Sequence, residues 1–138
     1  MADHLLLELV TPQRRVLSVE VVEVRIPGVL GELGVLPGHT PLLTALGTGP
    51  LAYTQAGVEH RLAVQGGFAE VLPDRVTVLA RVAELPAEID LEAASKQLTE
   101  AEARLPKAAA EEIDELSDAV RLAATRLDVG GGRHRSAS

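Results

Sequence analysis

Cysteine and tryptophan are absent from the 138 residues, and phenylalanine, tyrosine and methionine occur once each. Without cysteine there is no disulfide and no thiolate metal site, and nothing points to an oxidising compartment. With aromatics so scarce and 46% of residues hydrophobic, the core has to be built from aliphatic side chains. Positive charge is also short. Thirteen basic against 20 acidic side chains leave a net charge of −7, which repels phosphate backbones and anionic lipid, so nucleic acid is not an expected partner. No apolar run reaches the roughly 18 residues that a membrane-spanning helix needs. The start, Met1-Ala2-Asp3-His4, lacks a basic segment and the first apolar run is short, so no signal peptide is expected. The expectation is a soluble, intracellular domain, with or without a small appendage, that is free to sit on a membrane complex.

What is present falls into two periods. Up to about Pro86 apolar residues alternate: Leu5, Leu7 and Leu9 share one parity, Val22, Val24 and Ile26 flank Glu23 and Arg25, and Val76 to Val82 is β-branched and apolar at alternate positions. Turn signals at Thr11-Pro12, Pro27-Gly28, Pro37-Gly38, Gly47 to Pro50, Gln55 to Gly57, Gly66-Gly67 and Pro73-Asp74 divide this half into short strands. The spacing predicts an antiparallel β-sandwich or flattened barrel over residues 1–86. From Ile89 the step becomes three and four. Leu91, Ala94, Leu98, Ala101 and Leu105 mark one helix with Asp90 as N-cap, and Ala109, Ile113, Leu116, Val120, Ala123 and Leu127 mark a second before Gly130-Gly131-Gly132. Pro106 separates them, so residues 87–129 are expected to form an antiparallel helical hairpin with alanine-rich seams, and 130–138 a disordered tail. Such a hairpin is marginal alone and needs a neighbour to bury its seam.

Chemistry is harder to find. The glycines of Gly31-Glu32-Leu33-Gly34-Val35-Leu36-Pro37-Gly38-His39-Thr40-Pro41-Leu42-Leu43 are not followed by the lysine and Ser/Thr of a phosphate-binding loop. No serine sits in a Gly-x-Ser-x-Gly elbow. His4, His39, His60 and His134 are scattered, which gives neither a metal set nor a catalytic base with an orienting partner. His39 reads as a turn histidine whose ring satisfies local backbone. Glu32, at the tip of an expected hairpin and without a local cation, reads either as a solvated loop charge or as a contact residue. Glu92/Lys96, Glu100/Arg104 and Asp118/Arg121 are spaced for pairs on exposed helix faces. No catalytic residue and no metal ligand are assigned.

The Gly31–Leu43 stretch resembles the G-x-L-G-h-x-x-G-H-x-P-L-L signature of the epsilon subunit of F-type ATP synthases. Ala63-Val64-Gln65-Gly66-Gly67-Phe68-Ala69-Glu70-Val71 and Asp74 to Ala80 are similar to two further segments of that family. The resemblance implies a sandwich of about ten antiparallel strands followed by two helices, seated on the gamma subunit and against the ring of c subunits. It implies a non-catalytic rotor subunit of the central stalk, peripheral to the cytoplasmic face of a bacterial inner membrane. Glu32, Leu33, Gly34, Pro37, Gly38, His39 and Pro41 would then form the interface with the ring and gamma.

A regulatory role is also implied, in which the helices extend toward the alpha/beta catalytic head and inhibit hydrolysis, and in some members ATP holds them down through an Ile/Leu-Asp-x-x-Arg-Ala motif. Here the matching residues are Ile89-Asp90-Leu91-Glu92-Ala93-Ala94, with Ala93 in place of the arginine and Glu92 set to repel phosphate. No cofactor is therefore expected, and Arg121 and Arg126 are the cations left to meet ATP if it binds. The competing readings are a free-standing ATP-sensing module and a small enzyme on a sandwich scaffold.

Overall fold

The computed structural model describes residues 3–131, in the order β1 (Leu5–Val10), β2 (Arg15–Val21), β3 (Glu23–Gly28), β4 (Gly31–Val35), β5 (Leu42–Ala45), β6 (Thr48–Gln55), β7 (Val58–Leu72), β8 (Arg75–Glu84), α1 (Leu91–Arg104) and α2 (Ile113–Gly130). The strands follow the path β2-β1-β8-β7-β6-β3-β4, with β5 paired to β7. Val21 on β2 and Val35 on β4 lie near opposite ends of that path, yet both belong to one buried cluster with Leu5, Leu7, Leu9, Leu51 and Val78. The sheet must therefore fold over on itself, and the two layers of the expected sandwich close on an aliphatic core.

Eight strands carry the sandwich, fewer than the ten or so expected, and one pair is parallel: β1 runs alongside β8 from Leu6↔Arg75 to Val10↔Leu79. Two long strands explain the count. β7 spans 15 residues and β8 spans 10, and they pair through the Gly66-Gly67 position that the sequence suggested as a turn. Those glycines make a crease. Before it Leu62 and Val64 face the core; after it Ala69 and Val71 do, so the inward parity flips. β8 flips at the same level, from Val78 and Ala80 to Ala83. The flip needs Gly66 at φ 69° and Gly67 at φ 109°, and a Cβ on Gly67 would collide with the Leu79 carbonyl oxygen.

The helices differ from expectation at their ends. Asp90 caps α1 as predicted, its Oδ1 accepting the Ala93 N–H at 3.0 Å. The connection is longer than foreseen, because Leu105–Lys107 and Ala110–Glu112 form 3-10 turns, and Ala109 precedes the second helix instead of lying in it. There the Glu112 carboxylate takes the Ala109 N–H at 3.2 Å. The seam is made mainly by alanines: Ala94, Ala101 and Ala123 are buried together with Leu116, whereas Leu91 and Ile113 are only partly covered and stay exposed. α1 packs on α2, and α2 packs on β6 and β7. The α2 helix runs through Gly130, and Gly131 donates its N–H to the Leu127 carbonyl at 3.0 Å. The rest of the expected tail, from residue 132, lies outside the described residues.

Candidate functional site

The Gly31–Leu43 stretch forms β4, a turn, and the start of β5. Glu32 is not at the hairpin tip as expected. It lies within β4 opposite Pro27, exposed, and Val29-Leu30 make the tip, with Leu30 fully exposed. The short turn depends on Gly28, where a Cβ would sit 2.8 Å from the Gly31 carbonyl oxygen, and on Gly31 at φ 129°. Leu33 is half-buried, Gly34 and Pro41 exposed. Leu36 to His39 close a turn with the His39 N–H on the Leu36 carbonyl at 3.1 Å, Pro37 second and Gly38 third at φ 88°. That is the type II arrangement, in which proline presets the first corner and glycine supplies the positive φ. The Gly38 N–H reaches the Pro73 carbonyl at 2.7 Å, so the turn is tied to the β7–β8 connection. The His39 Nδ1 lies 2.6 Å from the Thr40 carbonyl oxygen, occupied by local backbone. His60 stacks on Tyr53 with ring centroids 5.0 Å apart, and His134 lies outside the described residues. Among the described residues no group of three or more His, Asp or Glu is placed to hold a metal ion, and no helix is long and apolar enough to cross a membrane.

Past the crease, the outer face of the sheet carries a bare apolar row, next to a row that holds Glu70, Thr77 and Glu8. Register places Ala45, Phe68, Leu79 and Val10 side by side across β5, β7, β8 and β1. Phe68 is 56% exposed and Leu79 54%, and Leu43, one pleat along β5 on the same face, is 69% exposed. A row of this kind spends apolar surface on water and marks a contact face. The sequence reading missed it, although one signal was available: Ala69 and Val71 take the inward parity, so Phe68 has to point outward with Glu70.

Before the crease, the same face is covered by α2. Arg61, Ala63 and Gln65 on β7 face it, as do Thr48, Pro50 and Ala52 on β6 and Glu84 on β8. The small Ala52 and Ala63 let the helix approach. Polar side chains fix its position: Arg126 meets both oxygens of Glu84 at 2.7 and 2.9 Å, Arg61 meets Asp128 at 2.5 and 3.3 Å, and the Gln65 amide donates to the Asp118 carbonyl at 3.1 Å. Arg126 also donates to the Gln97 side chain at 3.1 Å, tying α1 to α2.

The segment Ile89–Ala94 shows how the cations implied by the resemblance are disposed. The Asp90 carboxylate is used as the α1 cap and Ala94 is buried against α2, so no cation stands on this turn. Arg126 is already paired, and Arg121 faces Asp118 at 3.7 Å on the exposed side. Of the other expected helix-face pairs, Arg104 meets Glu112 at 3.7 Å instead of Glu100, and Glu92 and Lys96 do not come within ion-pair distance.

Comparison with known proteins places these features. The family described as ATP synthase, Delta/Epsilon chain, beta-sandwich domain matches residues 4–86. An ATP synthase epsilon chain of Geotalea uraniireducens is 52% identical over 112 residues, covering 81% of each chain. One from Anaeromyxobacter sp. (strain K) is 46% identical over 129 residues, covering 92% of this chain and 98% of that one. A chain in the cryo-EM structure of the Euglena gracilis mitochondrial ATP synthase, OSCP/F1/c-ring, superposes with a TM-score of 0.80 at 26% identity, over 91% of this chain and 80% of that one. That coverage takes in the helical hairpin as well as the sheet. The chain belongs to the ATP synthase epsilon-chain family.

Proposed function

We propose that this chain is a central-stalk rotor subunit, docking through its bare apolar face onto gamma and transmitting rotation of the c ring to the catalytic head without performing a reaction itself. As an epsilon chain it is a component of a membrane-associated complex. The finer placement, peripheral on the cytoplasmic side of a bacterial inner membrane, follows from the same reading. The observation that carries the proposal is the row Val10–Leu79–Phe68–Ala45. Leu79, Phe68 and Ala45 are exposed and Val10 half-buried in the isolated chain, so their burial on a partner supplies roughly 25 cal/mol for each Å2 of apolar surface covered. The β3–β4 tip with Glu32, and the Pro37–Pro41 turn, are proposed to meet the c ring.

The hairpin is proposed to rest against the sheet without ATP, because Glu84 and Gln97 already satisfy Arg126 and no arginine stands beside Asp90. Extension toward the alpha/beta head would require breaking those contacts. The test is co-purification of the full chain with gamma from cells expressing both. Phe68→Asp combined with Leu79→Asp should abolish recovery with gamma while circular dichroism and the thermal midpoint stay near those of the parent. Retention of gamma by the folded double variant would overturn the reading.

A further inference from the structure

Arg81 on β8 is exposed and, among the described residues, has no carboxylate within 4.0 Å, whereas every other arginine described there has one. In a chain with 20 acidic against 13 basic side chains, a cation left over in this way has to find its counter-charge elsewhere. We propose that Arg81 pairs with a carboxylate of gamma and so sets the choice of partner, beside an apolar side chain of gamma that fills the adjoining notch. This contact rests on the docking of the bare apolar row onto gamma, and it adds what gamma has to present at one end of that row.

The notch measures about 320 Å3 and is lined by Val10, Thr11, Pro12, Leu79, Ala80 and Arg81. It opens because β1 leaves β8 there: their parallel pairing ends at Val10↔Leu79, while β8 runs on beside β7 to Glu84. Val10 and Leu79 belong to the apolar row as well, so the notch continues that surface up to the crease. The Thr11 hydroxyl is turned to its own loop, donating to the Arg14 carbonyl at 3.4 Å. Arg81 is therefore the charged group at the border of an apolar surface, which is where interfaces concentrate arginine. Its guanidinium has a defined seat. It lies across Gly66, where a Cβ would collide with the Arg81 Nε, so the glycine leaves room for it. Asp118, a carboxylate that shares a cleft with Arg81, faces Arg121 instead at 3.7 Å. A planar fork suits a carboxylate in bidentate contact, and it repels a lysine or arginine set at the same point. Once gamma covers the row, water is excluded around the pair and salt screens it less than on an open surface.

The experiment is isothermal titration calorimetry of the full chain with gamma, at low and at high potassium chloride. Arg81→Gln should weaken binding about tenfold and flatten its salt dependence, and Arg81→Glu should weaken it further by placing like charges together. Arg121→Gln removes the same charge away from the row and should leave the affinity within about twofold. Single Asp→Arg and Glu→Arg variants of gamma are then titrated with Arg81→Glu. One of them should restore binding, and a restored affinity cannot come from misfolding. Parental affinity in the Arg81 variants, with gamma lost by Phe68→Asp combined with Leu79→Asp, would overturn the ion pair and leave the docking reading in place. Gamma retained by that double variant would overturn both, since the pair depends on the row being covered. Equal losses in Arg81→Gln and Arg121→Gln, or no acidic position on gamma that rescues Arg81→Glu, would also overturn it, the first by showing only a general attraction of charge.

Discussion

Arg126 on α2 and Glu84 at the end of β8 meet fork to fork, Nε on Oε1 at 2.7 Å and Nη2 on Oε2 at 2.9 Å, across 42 residues of sequence. Both side chains are more than two-thirds buried, so water screens the pair less than it would on the surface. Removing Arg126 leaves Glu84 under a helix without its cation. Arg126→Ala is expected to destabilise the seating of the hairpin by about 1–3 kcal/mol, with the sheet unaffected. Hydrogen exchange checks this: α1 and α2 amides should exchange roughly 10- to 100-fold faster while those of β1 and β8 hold, because each 1.4 kcal/mol is a factor of ten. Equal acceleration in both regions would show that the hairpin and sheet unfold as one unit.

A second contact ties the β1–β2 turn to the segment before α1. Arg14 donates to the Glu88 carboxylate at 2.6 Å, and the Leu85 N–H reaches the same oxygen at 2.8 Å. The Arg14 hydrogen bond, then the Leu85 N–H, hold the Glu88 carboxyl below its ordinary 4.5. A folded-state value below the unfolded one means that this contribution is present above about pH 4.5 and is lost as the pH falls through the folded value. An NMR titration of the Glu88 carboxyl carbon should show the lowered midpoint, and Arg14→Ala should raise it toward the ordinary value. An unmoved midpoint would leave the Leu85 N–H as the cause.

The crease in β7 yields a stability prediction. Gly67 combines φ 109° with a Leu79 carbonyl oxygen where a Cβ would lie. Gly67→Ala therefore meets both a conformational penalty and a backbone collision, and should cost about 3 kcal/mol or more. Gly34, with open space around its Cβ position and ordinary φ, is the control: Gly34→Ala should change the urea midpoint little. Comparable losses at both positions would mean that the crease is not the source of the effect.

Features set by neighbours a few residues apart were legible in the sequence. The Asp90 cap is one, because a side chain and an N–H three residues on decide it; the Pro37-Gly38 turn is another, since each residue type supplies one corner's dihedral. Leu91 and Ile113 misled because helical period tells which face is apolar and not what covers it; the main packing partner of α1 is α2, not a strand. The strand count misled because a glycine pair that flips parity inside a continuous strand has the same composition as one that ends it. The polar pairs seating α2 were invisible, being set by register between distant segments; of the apolar row only the outward turn of Phe68 was signalled, and the row itself emerges when four strands are aligned.

The β3–β4 tip provides the last test. Leu30 is fully exposed and Glu32, two residues on, is also exposed with no cation within 4.0 Å among the described residues, so neither side chain has a partner that stability would miss. Substitution at either site is expected to shift stability by no more than about 0.5 kcal/mol in the isolated chain. If the tip meets the c ring, the cost should appear only in the assembled enzyme. Leu30→Ser with Glu32→Ala should lower ATP-driven proton pumping in membrane vesicles severalfold while the ATP hydrolysis rate is kept, since the catalytic head is intact and only transmission suffers. Pumping and hydrolysis falling together would indicate lost assembly, which quantifying the bound subunit would reveal. Unchanged pumping with the subunit fully bound would remove the tip from the coupling path and leave the Pro37–Pro41 turn and the apolar row as the contacts by which this chain joins the rotor.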